Sequence, residues 1–69
     1  GLEQGMERGA RESTIQNILA ILNTRFPHSD AQLLAEALAL IESIERLTQL
    51  LRVAVQTPSF DEFRQALNT

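Results

Sequence analysis

Between residues 31 and 41 the chain reads Ala-Gln-Leu-Leu-Ala-Glu-Ala-Leu-Ala-Leu-Ile, and only Gln32 and Glu36 interrupt the apolar run. Alanine and leucine are strong helix formers, and no Gly or Pro breaks the stretch. Ser29 is a good N-cap residue, Gln32 stands where a capping box needs it, and Asp30 in the first turn suits the helix dipole. The segment predicts a helix from about Asp30 to Ile41 that is apolar nearly all round. Such a helix must be covered on more than one side.

The chain is short for that task. At 69 residues it is one domain at most, and a domain this small buries only roughly 60% of its unfolded surface. Disulfides, a metal or a partner chain usually complete such folds. There is no cysteine and only one histidine, His28. Disulfides, thiolate metal sites and the usual Cys/His zinc cluster are therefore excluded, and no cofactor is expected. A second copy is the remaining way to cover the apolar helix. Leu33, Leu34, Ala37, Leu38, Leu40, Ile41 and Ile44 are the candidate self-association residues.

The rest of the chain carries helical spacing too. Ile15, Ile18, Leu19, Ile21, Leu22 and Phe26 recur at threes and fours, which predicts an amphipathic helix over roughly 10–26. Pro27 ends it, because the residue before a proline is pushed out of the helical region. Upstream, Gly1, Gly5 and Gly9 repeat every four residues, with Leu2, Met6 and Ala10 one step behind and Glu3 and Glu7 one further. Each interior glycine costs about 1 kcal/mol against alanine in a helix. Residues 1–9 are accordingly either a connector or an N-terminal extension of the first helix. The spacing matches the small-residue motif of membrane helix pairs, but Glu3, Glu7 and Arg8 rule out an apolar span.

A third helix is expected from Ser43 to Gln56, with Ser43 as cap and Glu45 in the first turn. Leu33, Ala37, Leu40, Ile44, Leu47, Leu51 and Ala54 also form an unbroken four-three string. One long helix through Ser43 is therefore the alternative. Thr57-Pro58-Ser59 is a stop. Ser59 and Glu62 form a second capping box, and a short fourth helix follows from about Phe60 to Leu67. No alternating strand pattern occurs.

Only three residues are aromatic, all Phe, so the core must be built from Leu, Ile, Val and Ala. The net charge is -3, from nine acids and six arginines, with no lysine. A nucleic-acid binder normally carries a basic excess. Here Arg8, Arg11, Arg25, Arg46, Arg52 and Arg64 are scattered, and the second helix carries no basic residue to enter a major groove. No apolar stretch reaches the ~20 residues of a membrane span. No signal peptide is visible, and a cytoplasmic setting is expected. The start at Gly1, without an initiator Met, suggests a piece of a longer protein or a trimmed chain.

A catalytic constellation is missing. The acids Glu36, Glu42, Glu45, Asp61 and Glu62 fall on polar faces or first turns, where capping and solvation explain them. His28 sits alone in a polar turn. Ser29, Ser43 and Ser59 read as caps, and Ser13 has no histidine near it. The glycines do not match a phosphate loop, which would also need a lysine. The chain is expected to be non-enzymatic.

Taken in order, several segments resemble a known family. The repeat Gly1-Leu2-Glu3-Gln4-Gly5-Met6-Glu7-Arg8-Gly9 runs into an Ile/Leu helix, followed by Leu22, Arg25 and Phe26. Ser43-Ile44-Glu45-Arg46-Leu47-Thr48-Gln49-Leu50-Leu51 comes next, then Ser59-Phe60-Asp61-Glu62-Phe63. This combination, spanning nearly the whole chain, is similar to the C-terminal helical domain of unknown function in bacterial Rpn-like transposases and recombination-promoting nucleases. In that family the domain follows a PD-(D/E)xK nuclease domain. The resemblance implies that the nuclease chemistry lies upstream. Its metal-binding acids and lysine have no counterpart here, because this chain lacks lysine, so no catalytic residue carries over. The family's Ser-Ile-Glu pattern favours a helix start near Ser43.

The expected fold is all-α, a small antiparallel bundle of three to four helices completed by self-association. Leu19, Leu22, Phe26, Leu34, Leu38, Ile41, Leu47, Leu51 and Phe63 should form its core. Residues 10–69 would be a helical oligomerisation domain within a larger transposase or nuclease. Homo-oligomerisation is the expected partnership, with nucleic acid reached only through the parent protein and no membrane contact. The alternative is a DNA-binding accessory domain of the same parent.

Overall fold

In a computed structural model, the backbone is described over residues 2–68 and the side chains over residues 9–68. The leading helix, α1 (Leu2–Arg25), takes in Gly5 and Gly9 of the glycine repeat, Gly1 lying outside the described residues, and ends where Pro27 requires. Its 24 residues span about 36 Å at 1.5 Å per residue, nearly the full 40 Å length of the molecule. The last helical bond runs from the Phe26 amide to the Leu22 carbonyl at 2.8 Å.

The segment expected as one helix over 30–41 is not one. Ala31–Leu34 is a turn of 3-10 helix, and only α2 (Ala35–Ala39) is α-helical. A 3-10 helix turns 120° per residue, so Ala31 and Leu34 fall on one line. Both face inward there, Ala31 buried and Leu34 half-buried against the core. An α-helix would set them 60° apart. The expected Ser29–Gln32 capping box does not form either. The Ser29 hydroxyl instead donates to the Phe26 carbonyl at 2.6 Å, satisfying a group left over at the end of α1. Asp30 holds the cap position with no side-chain bond.

Residues 41–43 are non-helical. Ser43 is extended (φ -83, ψ 117) and its hydroxyl accepts from the Arg46 amide at 3.3 Å, capping α3 (Ile44–Gln56). The four-three string from Leu33 to Ala54 is therefore split between two elements. Thr57 and Pro58 end α3, and the Ser59 hydroxyl accepts from the Glu62 amide at 3.2 Å to start α4 (Phe60–Asn68). No strand occurs among the described residues. The fold is all-α, as its spacing predicts.

Three arginines show how the elements are laid together. Arg25 donates to the Ala54 carbonyl at 2.6 Å, and Arg11 to the Glu42 carbonyl at 3.2 Å. The start of α3 thus meets the middle of α1 and the two C-terminal ends meet, so the helices lie parallel in the most extensive contact of the fold. Between them in sequence, the 3-10 turn and α2 run back along α1: Gln32 lies by Leu19, Ala20 and Asn23, whereas Ala39 and Ile41 lie by Arg11 and Ile15. Arg46, near the start of α3, donates to the Ala66 carbonyl near the end of α4 at 2.9 Å, so those two helices are antiparallel. Phe60 at the head of α4 meets Phe26 edge-on, with ring centroids 6.3 Å apart. The 3-10 turn and α2 together thus reverse α1, α3 reverses them in turn, and α4 reverses α3.

The core is Ile18, Leu19 and Leu22 from α1, Ala31, Leu38, Leu47, Leu50 and Ala54 from the middle elements, and Phe63 from α4. Thr57 is the one buried polar residue among those described, and its hydroxyl is satisfied by donating to the Ser59 carbonyl at 3.0 Å. Of the expected core, Phe26, Leu34, Ile41 and Leu51 are half-buried and pack against its edge. Ile18, Ala31, Leu50 and Ala54 take the central places instead. The parallel pairing of α1 with α3 turns the Ile18–Leu22 and Leu47–Leu50–Ala54 faces together.

Candidate self-association surface

The seven residues proposed for self-association part into three groups. Leu38 is wholly buried, so it holds the monomer together and presents nothing to a partner. Leu34, Ala37, Ile41 and Ile44 are half-buried. Leu33 and Leu40 stand out in solvent, 75% and 82% exposed. The 3-10 turn accounts for Leu33, because pointing Ala31 and Leu34 inward sends Leu33 outward, and the helical turn of α2 sets Leu40 on the side away from buried Leu38.

A third large apolar side chain, Val55, is 54% exposed. It borders an open groove of about 350 Å3 between the C-terminal parts of α1 and α3, lined also by Ala20, Ile21, Thr24 and Arg25. Arg25 is fixed at its margin. Its guanidinium is bonded to the Ala54 carbonyl and lies 5.0 Å from the centre of the Phe26 ring. This groove was not foreseen from spacing, in which Ile21 is one of the apolar positions of the first helix and Val55 lies outside the four-three string that ends at Ala54. The available signal was the breadth of the α1 stripe: Ile18, Leu19, Ile21 and Leu22 cover more of the helix than one neighbour can.

Polar chemistry is sparse. Among the described residues no three His, Cys, Asp or Glu side chains come together as a metal site would need, and no helix is long and apolar enough to cross a membrane. The Arg64–Asp61 ion pair, at 3.6 Å, is well exposed on both sides and contributes little to stability. Arg11, Arg25 and Arg46 bond to backbone carbonyls on other elements. They clamp the bundle at three places.

Comparison with known protein families, with curated proteins and with solved structures finds no match to this chain.

Proposed function

We propose that the chain is a non-catalytic association module that pairs with further copies of itself. The observation that carries this reading is the apolar surface left in water: Leu33, Leu40 and Val55 are each more than half exposed. Fully burying a side chain of this kind is worth about 1.5–3 kcal/mol. A partner that covers even one or two of them gains a useful part of a binding energy. The three arginines tied to backbone carbonyls lend no support to a phosphate-binding face. Within a longer nuclease of the type the sequence resembles, such a module would bring catalytic domains together. Two nuclease domains held side by side suit the cutting of both strands of a duplex, a step drawn by analogy from the family.

Sedimentation equilibrium of the 69-residue chain over a dilution series tests this. The expected mass rises from one copy towards a whole multiple as concentration increases. One-copy mass at every concentration, with the helical circular dichroism intact, refutes it.

A further inference from the structure

Residues 31–56 contain no glycine or proline, and Leu33, Leu40, Leu47 and Ala54 recur along them every seven residues. The fold interrupts this stretch at 41–43, and one side chain, Ser43, caps the restart. The break divides the string. Leu47 and Ala54 are wholly buried, whereas Leu33 and Leu40 stand in water. Closing the break would bring all four into one line, because a step of this length is about two full helical turns. Ala31, Leu34 and Leu38 would lie roughly a third of a turn round from that line, on a face of their own.

Chain length decides what a straightened helix can pack against. Arg25, at the end of α1, reaches the Ala54 carbonyl near the end of α3. In one helix over 31–56, Ala31 would stand about 35 Å from Ala54. Residues 26–30 join α1 to Ala31, and even fully extended they reach only about 20 Å. A straightened chain therefore cannot keep its own α1 on its own α3. The bared face would expose Leu47, Leu50 and Ala54, all core residues. A second copy in the same form supplies the identical α1, with Ile18 and Leu22 placed to cover them. That α1, parallel to α3 as in the closed fold, would also run on past the break. Arg11 already lies at Glu42, and α1 continues from there back to Leu2. Leu40 and Leu33 would thus fall beside this leading part of the second copy's α1, about 14 Å long. There is room for the approach at Gly9, where a Cβ would meet nothing within 4 Å.

We propose that residues 31–56 can straighten into one helix, and that two straightened copies exchange their α1 helices, each α3 being covered by the other copy's α1. This rests on the self-association proposed above and gives it a mechanism. The exchange keeps the α1–α3 contacts of the closed fold, makes them between chains, and adds cover for Leu33 and Leu40.

Two substitutions at the break should act in opposite directions on association, read by sedimentation equilibrium of the full chain. A proline at the first position of α3 suits the closed fold, since Ser43 is already extended, as the residue before a proline must be. Inside a continuous helix it loses a backbone bond and clashes with the preceding turn. Ile44→Pro should therefore weaken association by about a hundredfold or more. Ile44→Ala, which leaves the helix free to form, should weaken it far less. Ser43→Ala removes the cap of the closed form alone and should tighten association by about fivefold. Circular dichroism checks that each variant folds.

Cross-linking reads the exchange without altering the break. Ile21 and Val55 flank the α1–α3 groove, and the chain has no cysteine of its own. The double variant Ile21→Cys, Val55→Cys, treated with a short bismaleimide, links α1 to α3. On a denaturing gel the links should join two chains in the associated fraction and stay within one chain in the single-copy fraction. Links confined within chains in the associated fraction overturn the exchange and leave self-association standing. So does a folded Ile44→Pro variant that associates as the parent does, or a Ser43→Ala variant that associates no more tightly. A parent of one-copy mass at every concentration overturns both readings.

Discussion

Leu38 and Leu40 are two residues apart in one apolar run, yet truncating them should have opposite consequences. Leu38 is wholly buried among the core residues of four elements, whereas Leu40 is 82% exposed. Leu38→Ala removes buried methyl groups and leaves a cavity, a change that costs about 2–5 kcal/mol. A 69-residue fold has only about 3–10 kcal/mol in all, at 0.05–0.15 kcal/mol per residue. The substitution therefore consumes a large share of the stability. At its low end the loss lowers Tm by about 8 °C or more. Leu40→Ala removes the same atoms from a side chain already in water, and its effect should stay within about 0.5 kcal/mol. Urea denaturation followed by circular dichroism, at one low protein concentration, measures both. The two variants have identical composition, so any difference belongs to their placement. Equal shifts, or a larger one for Leu40→Ala, would refute the division of this run into an inward and an outward face.

Two further outcomes follow from local geometry. A Cβ added at Gly9 would meet nothing within 4 Å, so Gly9→Ala should stabilise α1 by up to about 1 kcal/mol and raise the helical signal; a loss of helix or of Tm would show that the glycine is needed for close packing. Ser43→Ala removes the hydroxyl that accepts from the Arg46 amide and should lower stability by about 1 kcal/mol in a urea titration, while an unchanged midpoint would mean that the break before α3 does not depend on its cap.

Local chemistry alone determined a good deal of this protein. Spacing in threes and fours, Pro27, Pro58 and Ser59 placed the ends of α1 and α3 and the start of α4 and excluded strands, whereas at Ser43 the same spacing left a continuous helix open. These are short-range effects, settled by backbone sterics and by bonds between residues three or four apart. The same reasoning failed over 30–41, where Ala and Leu favour a helix on every face and a capping box is spelled out. Nothing local distinguishes Leu33 from Leu34, or Leu38 from Leu40. Only the tertiary structure decides, by laying α1 parallel to α3 and running the connecting segment back along α1. That segment must then present Ala31, Leu34 and Leu38 to one side. A 3-10 turn followed by the short α2 achieves it at the expense of the regular helix and leaves Leu33 and Leu40 in water. The groove beside Val55 has the same origin: it joins residues thirty or more positions apart, and such a surface exists only once two helices have met.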